Sequence, residues 1–238
     1  MAAPGAAAGP TSSWRSTCAR PGVAPTSALP AEHLRAARLY VITPDEAPAR
    51  VIDIGTAAVR GGADVIQLRH KTLARGALLV LARQLREVAH AGGALFVVND
   101  HVDIALLSEA DGVHLGPDDL AIASARRVAG ARLLIGVSAS SPEAARAAVA
   151  DGADYLGSGP AFATPIKTSK PVIGPAGVAA IVEAVGATVP VFAIGGIDET
   201  NVGQLVAAGL RRACVIRAVA GAADPEQATR RLRAMLIA

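Results

Sequence analysis

The chain's 238 residues are 52% hydrophobic and 18% charged, ample for the core of one large domain or two small ones, and no run of strongly apolar residues is long enough for a membrane-spanning helix. Two cysteines, Cys18 and Cys214, exclude a disulfide framework and point to a reducing compartment, hence the cytoplasm. The net charge of +3 resides wholly in residues 1–38, where Arg15, Arg20, Arg35 and Arg38 stand against one acid, Glu32; residues 39–238 are neutral and lack the basic stripe with interleaved aromatics of a nucleic-acid binder.

Residues 1–36 are rich in Ala, Pro, Gly, Ser and Thr, show no periodicity, and read as a disordered tail. The arginines and the absence of acids before Glu32 also resemble an organellar transit peptide, but the apolar stretch of a secretory signal is missing; plain disorder is the preferred reading. Residues 37–238 read as a single domain. Apolar, β-branched runs predict strands at 39–43, 65–69, 95–98, 112–115, 133–137, 155–158, 191–194 and 213–217. Ala-rich stretches between them predict helices such as 73–91, 142–151, 178–185 and 199–208, and 225–236 closes the chain. Regular alternation of strand and helix implies parallel strands joined by right-handed crossovers, and eight such units imply an α/β fold of the (β/α)8 TIM-barrel type. An open doubly wound sheet would carry a Gly-rich turn after its first strand; here that strand runs into Thr43-Pro44-Asp45.

Barrels of this kind place their chemistry at the C-terminal ends of the strands. The predicted ends carry Thr43 and Asp45; Gln67, Arg69, His70 and Lys71; Asn99 and Asp100; His114, Asp118 and Asp119; Ser138 and Ser140; Ser158 with a loop bearing Thr164, Lys167 and Lys170; Gly195-Gly196; and Arg217. Asp100 and Asp119 end adjacent strands, and two carboxylates suit Mg2+, a hard ion that completes its shell with water and phosphate oxygens. Arg69, Lys71 and Lys167, with Gln67 and Asn99, can clamp a diphosphate. Gly195-Gly196 with Ile216-Arg217 falls where barrels bind phosphate through backbone N–H groups. Other polar residues have plainer readings. Asp118 suits an N-cap for a helix at residue 121, His33 and His90 suit solvated surface, and His101 has no evident partner. His114 suits strand packing, and His70, between two cations, suits an exposed position. Ser138 and Ser140 have no His/Asp arrangement around them, so no hydrolase triad is indicated. Cys214, in an apolar stretch, reads as a small core residue.

The segments "LYVIT", "GGADVIQLRHK", "FVVNDHVDIAL", "GVHLGPDD", "GADYLGSGPAFATPIK" and "VFAIGGI" follow one another as they do in thiamine phosphate synthases, and the resemblance spans residues 38–236. It implies a transferase that joins a hydroxymethylpyrimidine diphosphate to a thiazole phosphate, releasing thiamine phosphate and diphosphate. Carried over by motif, Gln67, Leu68, Arg69, His70, Lys71, Asn99, Ser138 and Lys167 would bind the pyrimidine diphosphate. Thr164, Pro165, Ile166, Gly196, Ile216 and Arg217 would hold the thiazole phosphate. Asp100 and Asp119 would bind Mg2+, and Lys167, Arg69, Lys71 and Ser138 would act in catalysis. The implied partners are small-molecule substrates, with no nucleic acid, no membrane and room for a homo-oligomer.

The chain departs from the usual pattern of this family at four positions: His70 for a frequent acid, Ser140 for a frequent His, Ile166 for a frequent Thr and Arg217 for a frequent Ser. A thiazole tautomerase of the same fold would need its catalytic His near Ser140, and a non-catalytic barrel that binds phosphorylated ligands would have no use for the metal pair. The synthase reading is therefore preferred.

Overall fold

A computed structural model describes residues 28–164 and 171–238. Its eight strands are β1 (Leu39–Ile42), β2 (Val65–Leu68), β3 (Leu95–Asn99), β4 (Gly112–Leu115), β5 (Leu134–Ala139), β6 (Tyr155–Ser158), β7 (Val191–Ile194) and β8 (Ala213–Val215). They pair in parallel and in chain order, and β8 returns to β1, closing a TIM barrel. Helix α1 (Ala28–Ala36) precedes the first strand. The crossovers carry α2 (Pro48–Arg60), α3 (Arg75–Ala91), α4 (Val102–Leu107), α5 (Ile122–Ala129), α6 (Pro142–Ala150), α7 (Gly174–Val185) and α8 (Val202–Ala207). The short α9 (Arg217–Ala220) and the closing α10 (Pro225–Ile237) follow β8. No helix among the described residues is long and apolar enough to cross a membrane.

Each strand is covered on both faces, which is why the strands read as short unbroken apolar runs and not as alternations. Outward-facing Val41, Ile66, Leu68, Phe96, Val98, Ile135 and Leu156 pack under the helices in the main apolar layer. Inward-facing Tyr40, Ile42, Val65, Leu95, Val97, Tyr155, Phe192 and Cys214 form a second cluster inside the barrel. Leu34 of α1 and Ala37 belong to this inner cluster, so the first helix plugs the N-terminal end of the barrel. Arg212 fastens the plug, its Nη2 donating to the Arg35 carbonyl at 2.7 Å.

The acid that closes each "GAD"-like return has a repeated task. Asp64 accepts the backbone N–H groups of Arg38 and Leu39 at 2.8 and 2.9 Å. Asp111 and Asp154 accept those of Phe96 and Ile135, each at 2.7 Å. Each carboxylate also meets a cationic or imidazole donor from a helix: Arg233, His90 and Arg126 respectively. A polar ring thus satisfies the strand starts at the end of the barrel remote from the chemistry.

Several bounds differ from the sequence reading: strands 1 and 2 stop one residue earlier, at Ile42 and Leu68, β3 runs on to Asn99, β5 spans Leu134–Ala139, α3 starts at Arg75 and α7 at Gly174. Four other differences have a local cause. Residues 28–36, read as part of the tail, form α1 and contribute the buried Leu34, because the barrel's lower mouth needs a lid; residues 1–27 lie outside the described residues. The last strand ends at Val215, since Ile216 turns away (φ −122°, ψ −79°) into α9. Helix α8 begins at Val202 and not 199, because Asp198 binds the N–H and hydroxyl of Thr200 in a local turn. Asp118 caps nothing: α5 starts at Ile122 after an uncapped Ala121.

Candidate active site

The C-terminal mouth of the barrel opens into a cavity of about 310 Å³. Its floor is a buried polar chain. Gln67 Nε2 donates to the Tyr40 hydroxyl at 2.8 Å, and the Tyr40 and Tyr155 hydroxyls lie 3.0 Å apart. Phe192 stands edge-on to both rings, at 5.4 and 6.1 Å. Burial pushes both phenols well above their ordinary pKa, so they serve as neutral hydroxyls. Inward glycines make space for these large rings. A Cβ at Gly136 would fall 2.0 Å from Tyr155 Cζ, and one at Gly157 would crowd His114 Cε1 at 3.3 Å. His114 also faces the cavity, its Nε2 3.1 Å from Ser138 Oγ. It is a packed histidine, as expected from its place in a strand, but packed inside the mouth.

On one side of the rim, β3 ends in a tight turn. The His101 N–H reaches the Asn99 carbonyl at 2.8 Å and the Asp100 N–H reaches the His114 carbonyl at 2.8 Å, which holds Asp100 at φ 65°, a left-handed conformation uncommon outside glycine but one that Asp adopts more readily than most residues. The turn brings the Asp100 carboxyl against that of Asp119, within hydrogen-bonding reach. Asp119 is steadied by the Gly116 N–H at 2.7 Å. Burial and the Asp119 carboxyl raise the pKa of Asp100, opposed by Lys71, whose Nζ is 3.7 Å from Asp100 Oδ2, and by His101. This pair is a donor set short of positive charge. Its hard oxygens fit a divalent cation of the Mg2+ type, which takes one or two carboxylates and fills its other positions with water or phosphate. Among the described residues no group of three or more His, Cys, Asp or Glu side chains gathers to hold a metal.

Arg69, His70 and Lys71 follow β2. The Arg69 N–H donates to Thr43 Oγ1 at 3.1 Å, and the Lys71 N–H donates to Asp45 Oδ2 at 3.1 Å. Partial burial works against ionisation of Asp45, but bonds from Thr72 and the Lys71 N–H, and the charges of His70 and Arg69, hold its pKa below the usual carboxylate value. His70 is not exposed as the sequence suggested: its ring is buried and committed to Asp45 and the Glu46 carbonyl. Leu68 also stands apart from the cavity, its side chain lying in the outer layer under the helices.

Across the mouth, Gly195 and Gly196 take φ of 101° and 64°. A Cβ at Gly196 would sit 2.4 Å from the Ala163 carbonyl, so this close approach of two loops requires glycine. Asn201 Nδ2 pins the Gly196 carbonyl at 2.7 Å. Ile216, Arg217 and Ala218 complete this wall at the start of α9, and Thr164 approaches from the β6 loop. Pro165, Ile166, Lys167 and Lys170 lie outside the described residues.

The sequence reading missed Tyr40, Tyr155, Phe192 and Cys214 as cavity residues. A signal existed: both of the chain's two tyrosines fall inside predicted strands, where a phenol needs a polar partner. His101 has a partner after all, accepting from Arg75 Nη1 at 3.0 Å, and His90 is exposed as expected while also meeting Asp111 at 2.9 Å.

Comparison with known proteins gives one answer. The family model described as "Thiamine monophosphate synthase" matches residues 39–219. The thiamine-phosphate synthase of Gloeobacter violaceus is 47% identical over 196 residues, 82% of this chain and 56% of that protein. That of Shouchella clausii is 42% identical over 202 residues, 84% of this chain and 96% of its own. The chain therefore spans little more than half the length of the Gloeobacter relative. Among solved structures, thiamine phosphate pyrophosphorylase from Pyrococcus furiosus superposes with a TM-score of 0.78 at 38% identity, covering 87% of this chain and 98% of that one. A 3-hexulose-6-phosphate synthase superposes at 0.67 with 23% identity, which speaks for the fold alone. Matched over three quarters of its length by the family model and at more than 40% identity to several of its members, the chain belongs to the thiamine monophosphate synthase family.

Proposed function

We propose that this chain joins a hydroxymethylpyrimidine diphosphate to a thiazole phosphate, giving thiamine phosphate and diphosphate. One observation carries the proposal furthest: at the C-terminal ends of β2, β3 and β4, the same end of the barrel as the cavity, two carboxylates and a lysine come together, Asp100, Asp119 and Lys71.

In the reaction, the C–O bond between the pyrimidine methylene and the diphosphate breaks, and the electron pair leaves with the diphosphate. The aminopyrimidine ring stabilises the methylene cation that remains. The thiazole nitrogen then gives its lone pair to form the C–N bond. No proton need be removed, so the reaction asks for no general base. Gln67, aligned by Tyr40, and Ser138, beside His114, would hold the pyrimidine in the cavity. Asn99, Arg69 and Lys71, joined by Lys167 from outside the described residues, would hold the diphosphate and meet the charge that gathers on it. Asp100 and Asp119 would hold Mg2+, which supplies further charge to the departing diphosphate when bound. Gly196, Ile216, Arg217 and Thr164 would hold the thiazole phosphate, so that both reactants lie in one mouth and the second step becomes effectively unimolecular. Pro165 and Ile166 belong to the same proposed loop. A cytoplasmic location, argued from the cysteine usage, belongs to the same reading.

The test is thiamine phosphate formation and diphosphate release by the purified chain given both substrates, with and without Mg2+, beside Asp100→Ala. The expected result is metal-dependent turnover that falls by at least about 100-fold in the variant. Absence of turnover with phosphate-ligand binding intact would reject the synthase reading in favour of a binding barrel.

A further inference from the structure

His70 lies between Arg69 and Lys71, the two described cations that the proposed function assigns to the diphosphate, yet its ring faces the other way. Its side chain is 5% exposed, against 56% for Lys71. Nε2 is 2.8 Å from the Glu46 carbonyl, and Nδ1 is 2.8 Å from Asp45 Oδ1. Asp45 is shared: its Oδ2 accepts the Lys71 N–H at 3.1 Å, and its Oδ1 accepts the Thr72 hydroxyl at 3.0 Å. The Leu73 N–H points at Nδ1 from 3.3 Å. One buried ring therefore cross-links the loop after β1 to the loop after β2, and the link converges on the backbone of Lys71.

The tie to Glu46 survives either charge state of the ring; the tie to Asp45 needs the proton on Nδ1. As imidazolium, both nitrogens donate, to Glu46 and to Asp45. As neutral imidazole with the proton on Nε2, the bond to Glu46 stays and Nδ1 accepts from Leu73. The role is thus mechanical. A lysine half in solvent loses much of its reach and rotamer freedom when it closes on a ligand, and a loop fixed in advance lowers that cost.

We infer that His70 is a positioning residue: through Asp45 and Glu46 it fixes the loop that aims Arg69 and Lys71 at the diphosphate, and it does not itself touch substrate. This inference rests on the proposed function. The link is particular to this chain, whose Asp45 and Glu46 carbonyl both face position 70. A carboxylate there would place a third acceptor beside Asp45 and the Glu46 carbonyl, with no proton to offer either.

The experiment measures binding of inorganic diphosphate with Mg2+ by calorimetry, the KM for the thiazole phosphate, and the melting temperature. The proteins are the wild type, His70→Ala, His70→Gln, His70→Glu, Asp45→Asn, Lys71→Ala and the His70→Ala/Lys71→Ala double variant. His70→Ala is expected to weaken diphosphate binding on the order of 10-fold, with the KM for the thiazole phosphate within about twofold of wild type. Asp45→Asn keeps one acceptor oxygen but loses the other and the charge, so it weakens the same link from the other side and gives a smaller loss of the same selective kind; the test holds even where one variant folds poorly. His70→Gln, which retains an N–H able to reach Glu46, recovers part of the affinity, and His70→Glu recovers none. In the Lys71→Ala background, losing His70 costs less than it does in the wild type, since only Arg69 then remains for it to aim. Wild-type diphosphate affinity in both His70→Ala and Asp45→Asn, or additive losses in the double variant, would overturn the inference while leaving a turning-over wild type, and so the proposed function, untouched. A wild type that neither binds diphosphate nor forms product would overturn both.

Discussion

Asp100 bears two local costs, a left-handed backbone and a carboxylate pressed against Asp119. A non-glycine residue is held this way only where the surroundings over-determine it, and such strain clusters at functional sites. The pair should therefore oppose folding when no cation is present. Replacing Asp119 by Asn removes the like-charge contact while keeping an oxygen for the Gly116 N–H. The expected outcome is a metal-free protein more stable by roughly 1 kcal/mol, a rise of about 3 °C in a thermal melt, together with loss of any Mg2+-dependent shift in that melt. An unchanged or lower Tm would mean the two carboxylates do not repel. Residue type and position were enough to nominate Asp100 and Asp119 from the sequence. The histidines were not readable in that way. His70, His90 and His101 each meet partners 21 to 26 residues away, in neighbouring loops or strands, and nothing local to them announces those partners.

Elements follow the same division. The strand cores of β4, β6 and β7 coincide with the predicted runs, because a strand covered on both faces is apolar for most of its length. The ends of other strands were harder to read, since strands 1, 2 and 8 stop where a loop contact, not a residue type, turns the chain. The glycines within β4, β5 and β6 carry information of another kind: they set which large side chain fills each layer of the barrel. Gly136→Ala should lower stability by about 1–3 kcal/mol in chemical denaturation, because the new methyl would overlap the Tyr155 ring from β6. Combining it with Tyr155→Ala should return part of that loss; a fully additive double variant would show that the two positions do not share space.

At the scale of the whole molecule, the barrel has a working mouth and a sealed base. The base is closed by α1 and by the acids Asp64, Asp111 and Asp154, which satisfy strand N–H groups far from the cavity. Leu34 is 2% exposed and packs into the inner cluster, so Leu34→Ala should destabilise the chain by about 2–4 kcal/mol in a denaturant melt. Turnover at a permissive temperature should stay near wild type, since no cavity residue changes; a turnover that falls in step with the melting temperature would join base and mouth into one unit. The sequence by itself determined the parallel barrel, the count of its strands and the polar residues at their ends, because alternation of strand and helix and the chemistry of side chains are local properties. Tertiary structure alone decided that residues 28–36 become the base plug, that two tyrosines and a glutamine make the cavity floor, and that His70 turns away from the mouth. Each of those outcomes depends on a partner brought near by closure of the barrel, and closure joins residues that the chain holds far apart.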